Sequence, residues 1–479
     1  MIDFNLRFIL SFILSFILSF YFSVERKPCY AFNSYMTIFT IIVFVLTYVL
    51  MFALQKIRPY VALASAALFV IVGSLGIFPD FSYSFFNALS AVDWNVLMMI
   101  AGTMGTVYFF IESRMPQLLS DIIISKVHSV KWLVVALSLF AGLVSAFVDN
   151  VATVLMIAPV ALAICKKLKI SPVAPIICIA ISSNLQGAAT LVGDTTSILL
   201  AKAANLDFMD FFFVEGKIGM FWVTEAGALV STLIILFLFR KENERIDINE
   251  RTKIEDYFPT WMLCLTILSL ILTSFIPYKS NAAPGKFYKP DISNGLICLF
   301  FFLICLVREM VKSKSTKPFK DVAGEIDFYT LGLLFGLFIV IGAITEAGII
   351  DLIGNTLAKL SGDGSRGSVF LIYTIIVWMS VIFSAFIDNI PYTATMLPVV
   401  AVISKGLGIH PNLLYFGLLV GATLGGNITP IGASANITGL GILRKEGHEI
   451  TPGTFMKFSV PFTLAAVTTG YLMLWFIWM

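Results

Sequence analysis

Two Asp-Asn pairs, Asp149-Asn150 and Asp388-Asn389, stand in the middle of long apolar tracts and are the first residues in this sequence that could do chemistry. An ionised carboxylate at bilayer depth costs at least about 2.5 kcal/mol, so it must be paired, solvated in a cavity or protonated. Asp and Asn also cap helix N-termini, and Pro391 follows the second pair where a helix would begin. We therefore predict that each pair turns the chain and starts a helix whose N-terminal amides face a binding site. The alternative is that the pairs cap helices and do nothing more.

Two further stretches concentrate glycine and polar residues in a way that a lipid-facing helix would not. Glycine permits unwinding, and Pro430 cannot continue a helical hydrogen-bond ladder. The stretches predict two unwound helices whose carbonyl and hydroxyl oxygens coordinate an ion, although packing between helices uses the same small residues. The predicted binding positions are Asn184, Gln186, Gly187, Thr190, Gly193, Asp194, Thr195 and Ser197 in the first stretch, Asn427, Thr429, Gly432, Ser434 and Asn436 in the second, and Thr393 after the second Asp-Asn pair. Asp194 has Ala433 as its counterpart, so the two half-sites are not equivalent.

The charges of these stretches favour a bound cation over a bound anion. They offer two or three carboxylates and no Lys or Arg, so an anion would depend on helix N-termini and hydroxyl groups. We predict H⁺ or Na⁺ as the coupling ion, with Na⁺ sites at Asp149 with Asp194 and at Asp388 with Asn427. No other metal and no organic cofactor is expected. Glu225 is either a proton relay, a neutral buried acid or a side chain in a watery crevice without a role.

Helices that span a membrane must position these residues, because the chain has too little charge to cover soluble domains. Its 479 residues are 58% hydrophobic and 13% charged, with a mean hydropathy of +0.93, whereas soluble chains are about 25% charged. The net charge of +3 is too small to indicate a nucleic-acid partner. Since a crossing needs about 20 apolar residues, we predict an all-α polytopic membrane protein. About eleven spans are expected, near 5–24, 36–55, 60–78, 93–111, 173–201, 212–240, 259–277, 291–310, 327–345, 411–440 and 454–477.

The Asp-Asn pairs lie at the centres of two more apolar tracts, 132–165 and 369–404. A tract that enters the membrane, turns at a polar tip and returns is a re-entrant hairpin, which is tolerated where protein or water covers its backbone. We predict two such hairpins. The alternative, two full spans in each tract, would place Asp149 and Asp388 at a membrane surface.

The first apolar run is of low complexity and has three interpretations: an extra helix, a signal peptide, or a wrongly assigned translation start upstream of the true start at Met36. No small-residue cleavage site follows it, so we keep it as a helix. With eleven spans, most of the 32 Lys and Arg residues fall on the N-terminal side. The positive-inside rule then predicts a cytoplasmic N-terminus and an external C-terminus, in the cell (inner) membrane.

The chain contains a weak internal repeat. FVDNVATVLMIAPV (147–160) matches FIDNIPYTATMLPV (386–399), and NLQGAATLVGDTTS (184–197) matches TLGGNITPIGASAN (423–436) at the same offset. Each copy contains an odd number of crossings, so the second copy should be inverted, which is the architecture of secondary transporters. The predicted segments are an N-terminal hydrophobic segment (1–35), a first repeat (36–240), a cytoplasmic linker (241–258) and a second repeat (259–479).

The motifs VDNVATVLMIAPV, IDNIPYTATMLPV and GGNITPIGASAN resemble the arsenite permease, sodium–proton antiporter and P-protein group of the ion transporter superfamily, which includes the citrate-transporter-like domain. The resemblance spans roughly residues 40–479 and implies a two-repeat scaffold, often dimeric, with an elevator-like movement. Both tips read Asp-Asn, like the P-protein branch, whereas related dicarboxylate transporters carry Ser-Asn-Thr. Relatives tend to show Gly-Asp-Pro-Pro-Asn where this chain has Gly193-Asp194-Thr195-Thr196-Ser197.

These observations predict a secondary active transporter rather than an enzyme. It would move a small inorganic ion or organic anion by alternating access, coupled to H⁺ or Na⁺ as an antiporter or symporter, and as a homodimer. Arsenite or oxyanion efflux and citrate or dicarboxylate transport are the alternatives for its substrate. An intramembrane aspartyl protease is a remote alternative, since the Gly-x-Gly-Asp context expected for that class is absent, and a passive channel is another. No Walker A motif occurs, so ATP does not drive this chain alone.

Overall fold

The computed structural model describes residues 34–79, 81–242, 244, 252–254, 256–278, 287–360 and 365–479, and the predicted first span at 5–24 lies outside them. Almost all regular structure in these residues is helical. The helices are α1 Ser34–Ala53, α2 Arg58–Ser74, α3 Phe85–Ala91, α4 Trp94–Glu112, α5 Met115–Ile124, α6 Val130–Ser145, α7 Asn150–Leu168, α8 Val173–Gln186, α9 Thr195–Ala204, α10 Met220–Leu238, α11 Phe258–Thr273, α12 Ser293–Ser313, α13 Lys317–Glu325, α14 Phe328–Glu346, α15 Ile349–Leu360, α16 Arg366–Ser384, α17 Asn389–Leu407, α18 Asn412–Leu419, α19 Ser434–Lys445 and α20 Pro452–Trp478.

Nine helices within the described ranges are long and apolar enough to cross a membrane, and six shorter ones are also apolar. The prediction of an all-α polytopic membrane protein is therefore confirmed. Two predicted spans, 173–201 and 411–440, are each divided into two helices, as the glycine-rich stretches within them indicate.

The predicted span 212–240 begins with a β-hairpin rather than a helix. Strand β1, Phe213–Val214, pairs antiparallel with β2, Lys217–Ile218. Between them, Glu215 and Gly216 have φ of +53° and +75°, the left-handed geometry of a two-residue hairpin turn. Hydropathy concealed this hairpin, because Phe, Val and Ile suit a strand as well as a membrane helix.

Four short helices, α3, α5, α13 and α15, were not expected from the sequence. Each has 12 residues or fewer, so a search for apolar runs of about 20 residues passes over them. Each precedes or follows α4 or α14, the long helices that occupy equivalent positions in the two repeats.

Residue contacts divide the chain into two compact units. Of the described residues, those up to 93 form one unit with 328–353, and those within 94–327 and 354–479 form the other. Each unit contains helices from both copies of the repeat, so the units do not follow the order of the sequence. All residues of the candidate site described below belong to the second unit.

Close helix packing in each unit depends on a glycine at equivalent positions of α4 and α14. In the first unit, a Cβ on Gly336 would lie 2.8 Å from the backbone of Ala62 in α2. In the second unit, a Cβ on Gly102 would lie 2.5 Å from the backbone of Cys298 in α12, and Gly105 faces the ring of Phe302 at a similar distance. Small residues allow backbones to approach this closely, which is how helices associate in a membrane.

The helix boundaries repeat as the sequence does. Helices α7, α8 and α9 start at residues 150, 173 and 195, and α17, α18 and α19 start at 389, 412 and 434, with an offset of 239 each time. The order α1–α10 is thus repeated by α11–α20. Contacts between the copies are reciprocal: α9 packs on α17 and α18, and α19 packs on α7 and α8. Two copies related by a pseudo-two-fold axis make such contacts, while inversion across the membrane stays a prediction.

Candidate ion-binding site

Each Asp-Asn pair lies where the two helices of a hairpin meet, at the turns between α6 and α7 and between α16 and α17. Asp149 is the N-cap of α7 and accepts hydrogen bonds from the N–H groups of Val151 and Ala152 at 3.0 and 3.2 Å. Asp388 is the N-cap of α17 and accepts one from the N–H of Ile390 at 3.1 Å. The predicted turn and cap are confirmed in both tracts. All of these bonds use Oδ1 of the aspartate.

The predicted unwinding is also present in both copies. Between α8 and α9 the chain leaves the helix over residues 187–194. After α18 it passes through a π-helical turn at 420–424 and a 3₁₀ turn at 426–428 before α19 begins. π-turns of this kind concentrate at functional sites.

Glycines at equivalent positions bring each unwound segment against the hairpin tip of its own copy. A Cβ on Gly193 would lie 2.8 Å from the carbonyl oxygen of Ser145. A Cβ on Gly432 would lie 2.8 Å from the carbonyl oxygen of Ser384, the equivalent residue. Both distances are shorter than real Cβ contacts, so only glycine allows this approach.

Threonine hydroxyls fasten the same contact. The hydroxyl of Thr190 donates to the carbonyl oxygen of Ala146, and that of Thr429 donates to the carbonyl oxygen of Ala385. Each bond satisfies a carbonyl at the end of a helix that has no partner within the helix. The tip and the unwound segment of each copy therefore form one connected body.

Asparagine side chains join the two copies at their centre. Asn184 Nδ2 donates to the carbonyl oxygen of Thr423 at 2.7 Å and to Asn427 Oδ1 at 3.1 Å. Asn427 Nδ2 donates to the carbonyl oxygen of Ile181 at 2.9 Å, and Asn150 Nδ2 donates to Asn184 Oδ1 at 3.0 Å. Asn184 and Thr423 occupy equivalent positions, so this contact lies beside the pseudo-two-fold axis. Asn184 and Asn427 are both fully buried.

Asp194 occupies the N-cap position of α9, but its side chain makes no capping bond. Its Oδ2 accepts from the hydroxyl of Thr196 at 2.7 Å and from Nδ2 of Asn389, at the tip of the other copy, at 3.4 Å. The Thr196 hydroxyl also lies 2.8 Å from that of Thr423. Ala433 has nearly the same backbone angles at the start of α19, so the carboxylate is an addition to a shared geometry.

Three carboxylates share this part of the molecule. Asp149 and Asp388 lie near enough for their charges to act on Asp194. Among the residues that the structure describes, no three His, Cys, Asp or Glu side chains are close enough to hold one metal ion together. A cation bound here would therefore take most of its ligands from hydroxyl, amide and backbone oxygens, which are the ligands that hard cations accept.

Several buried oxygen atoms of the site have no hydrogen-bond partner within the described ranges. They are Ser145 Oγ, Gln186 Oε1, Thr393 Oγ1 and Asn436 Oδ1. Asn436 Nδ2 donates to the carbonyl oxygens of Gly426 and Thr429, so this amide is oriented by its neighbours and its Oδ1 is the end left over. Buried acceptors without partners are rare in folded proteins, and a bound cation would satisfy these.

The remaining predicted residues divide into two groups. Ser197 donates to the carbonyl oxygen of Gly187 at 3.1 Å, and Thr195 and Ser434 start helices α9 and α19. These three belong to the unwound segments. Glu225 lies half-buried in α10, and no described contact joins it to the Asp-Asn tips. Ligand binding by any of these residues stays a prediction.

Sequence reasoning missed Thr196 and Thr423, which connect Asp194 to the second copy, and Ser183, whose hydroxyl donates to the carbonyl oxygen of Asn150 at 2.9 Å. A signal was available for Thr423. It aligns with Asn184 in the internal repeat, so a polar residue at that position carried the same interest.

Comparison with known proteins identifies the family. The sequence profile described as citrate transporter (CitMHS) matches residues 43–421 and 322–478. This chain belongs to the CitMHS citrate transporter family. An uncharacterized transporter of Mycobacterium tuberculosis is 30% identical over 431 residues, which is 88% of this chain and 94% of the relative. The mouse P protein is 24% identical over 94% of this chain, which spans 60% of that relative.

Two solved transporter structures share the fold of this CitMHS member. The YdaH transporter of Alcanivorax borkumensis superposes with a TM-score of 0.59 at 15% identity, over 92% of this chain and 98% of its own. MtrF of Neisseria gonorrhoeae, described as one of a class of antimetabolite efflux pumps, superposes with a TM-score of 0.53 at 16% identity, over 81% and 82%. This protein is therefore a multi-pass membrane transporter, with a small-molecule substrate and a lipid bilayer as its surroundings, and not an enzyme.

Proposed function

We propose that this CitMHS member is a secondary active transporter that couples H⁺ or Na⁺ to the movement of a small inorganic ion or organic anion. One observation carries the proposal. The carboxylate of Asp194, on the unwound segment of the first copy, accepts hydrogen bonds from its own helix and from the hairpin tip of the second copy. A proton or cation that binds at Asp194 would therefore change the contact between the two copies.

Electrostatics supports a cation as the coupling species. Neither the tips nor the unwound segments contain Lys or Arg. Three carboxylates that repel one another in a partly dehydrated site can remain together only if they take up a proton or share a cation. Ser145 Oγ and Asn436 Oδ1, which have no partner in the described part of the chain, would complete the coordination of Na⁺ in the first and second half-sites.

The repeat supports alternating access as the mechanism. Two hairpin tips and two broken helices meet around the Asn184–Asn427 contact, and the tips have equivalent geometry in the two copies. In transporters built from inverted repeats, opening of either half around a midplane site exposes that site to one side or the other. We also propose an inner-membrane location with a cytoplasmic N-terminus, because the Lys and Arg residues are biased to that side, and a homodimeric assembly, which the family resemblance implies.

Three substrate classes compete within this proposal. The family match supports a carboxylate such as citrate. The Asp-Asn tips, which resemble the sodium–proton antiporter and P-protein group, support a small inorganic ion, and arsenite or another oxyanion is the third class. MtrF, which shares the fold, is described as an antimetabolite efflux pump, so antimetabolites are a further candidate substrate. We favour a carboxylate because of the family match, and we expect it to bind only together with a cation, because the site supplies negative charge and no fixed positive charge.

The test is a flux screen with purified protein in liposomes under imposed pH and Na⁺ gradients. Citrate, other carboxylates, arsenite and inorganic cations are offered in turn. We expect one class to accumulate against its gradient, only with H⁺ or Na⁺ as driving ion, and to show counterflow when the opposite side is preloaded. Flux without counterflow and independent of both gradients would indicate a channel and overturn the proposal.

A further inference from the structure

A polar cavity lies along one face of helix α9, and its polar groups from this helix, Lys202 and Asn205, are at the C-terminal end, opposite to Asp194. It has a volume of about 150 Å³, and its polar lining residues are Asn95, Lys202, Asn205, Tyr278, Asp291 and Asn294. The apolar remainder of its wall comes from Ile198 and Ala201 of α9, from Leu191 and Leu206 on either side of that helix, and from Met99 of α4. A single water needs about 10–15 Å³ of such volume, so several waters or a partly hydrated ion would fit. Helix α9 has ten residues and a length of about 15 Å, so it reaches from Asp194 to this cavity.

The side chain of Asn294 is fixed with its oxygen free. It is 2% exposed, and its Nδ2 donates to Asp207 Oδ1 at 3.3 Å and to the hydroxyl oxygen of Tyr278 at 3.0 Å. Asp207 Oδ1 also accepts from Lys289 Nζ at 2.7 Å and from the Tyr278 hydroxyl at 2.9 Å. An acceptor-only carboxylate cannot bond the amide oxygen, so a flipped amide is excluded. Asn294 Oδ1 has no partner within the described ranges and belongs to a residue that lines the cavity.

The remaining groups of the wall suit a monovalent cation better than a divalent one. Asp291 adds an exposed carboxylate, and the C-terminal end of α9, at Lys202 and Asn205, adds the negative end of a helix dipole. Lys202, another lining residue, is also exposed and carries a positive charge. Its charge offsets that of Asp291, which disfavours a divalent ion, while carbonyl oxygens accept Na⁺ or K⁺ without net charge.

We propose that this cavity is a cation subsite, in which an alkali cation binds Asn294 Oδ1 and the Asp291 carboxylate at the far end of the helix that carries Asp194. The buried Asp207–Lys289 pair is a positioning element, since it holds the Asn294 amide in the orientation that binds. The subsite rests on the proposed function for its purpose, because it would supply the coupling ion to Asp194. Its existence is tested separately.

The test is equilibrium binding of ²²Na⁺ to purified protein in detergent, with ionic strength held by choline chloride. Asp194→Ala is the background, because it removes the predicted main site and leaves the subsite. In this background we expect saturable Na⁺ binding that Asn294→Ala weakens by about tenfold and Asp291→Asn by about threefold. Glu449→Gln, which removes an exposed acid outside the cavity, is the matched control and should change nothing. Asp291 is exposed, so its variant keeps the test valid if Asn294→Ala fails to fold.

The outcomes separate this proposal from the proposed function. If Asp194→Ala abolishes all saturable binding, the subsite is refuted and the main site stands. If binding persists in that background and neither Asp291→Asn nor Asn294→Ala changes it, the subsite is refuted as well. If Asp194→Ala leaves binding at the wild-type level and the cavity variants remove it, the subsite stands and Asp194 is not a cation ligand.

Discussion

The two copies of the repeat share a backbone and differ in the polar groups attached to it. Gly193 and Gly432 each approach a hairpin tip too closely for any side chain, and Thr190 and Thr429 donate to equivalent carbonyl groups. Helices start at equivalent positions in both copies. Glycine and capping residues thus determine where the helices break.

The side chains that remain determine what each half-site can bind. Asp194 in the first copy corresponds to Ala433 in the second, with nearly the same backbone angles. Ser197 and its counterpart Asn436 donate to equivalent carbonyl oxygens, those of Gly187 and Gly426, but Asn436 adds a buried Oδ1 that has no partner among the described residues. The comparison teaches that the fold requires symmetry only in the backbone, so the two half-sites can be specialised for different ions or for ion and substrate.

The largest expected effect is shared by both copies. Asp149→Asn and Asp388→Asn keep a capping oxygen and remove a charge, so each should insert normally and lose transport almost completely. Uptake into liposomes under the driving gradient is the measurement. Glu449→Gln, at an exposed acid outside the site, serves as the control. Near-normal uptake by both variants at normal expression would mean that these acids only cap helices.

Substitution of the equivalent glycines tests whether the close approach to the hairpin tip is equally important for stability in the two copies. Gly193→Ala and Gly432→Ala would each bring a Cβ within 2.6 or 2.5 Å of a carbonyl oxygen of their own segment. We expect each substitution to destabilise the protein by about 1–3 kcal/mol. The two variants should therefore show similar decreases in melting temperature, measured in detergent. Gly453→Ala, where a Cβ meets nothing within 4 Å, is the control. A large loss at only one glycine would contradict the equivalence.

Much of this symmetry was readable from the sequence, because glycine, proline and capping residues act through local geometry. The breaks at Asp149 and Asp388 were predicted for that reason. The Asn184–Asn427 contact was not predicted, since a repeat tells which residues are equivalent and not which residues meet across the axis. Asn294 was also missed, because Asp207, which helps to orient its amide, lies 87 residues earlier in the sequence.

The difference at Asp194 predicts an effect on the cation rather than on the substrate. Asp194→Ala copies the second half-site into the first, and removal of its charge should weaken the apparent affinity for the coupling ion by about tenfold. Uptake is measured against Na⁺ concentration and against pH, at several substrate concentrations. An unchanged cation dependence with a large rise in the substrate KM would reassign Asp194 to the substrate.

The smallest expected effect comes from the most closely matched pair, Ser145 and Ser384, which precede the Asp-Asn tips at equivalent positions. The hydroxyl of Ser384 donates to the carbonyl oxygen of Ala422, whereas Ser145 Oγ is buried and has no partner within the described ranges. Ser384→Ala should therefore cost about 1 kcal/mol of stability and leave cation affinity unchanged.

Ser145→Ala should show the opposite pattern if Ser145 Oγ is a ligand for the coupling cation in the first half-site. No hydrogen bond to the protein is lost, so the melting temperature without the cation should stay the same, while the stabilisation that added Na⁺ provides should decrease. Melting temperatures of both variants with and without Na⁺, at constant ionic strength, measure the two effects together. If Ser145→Ala retains the full stabilisation by Na⁺, the hydroxyl is a packing group, and the specialisation of the first half-site rests on Asp194 alone.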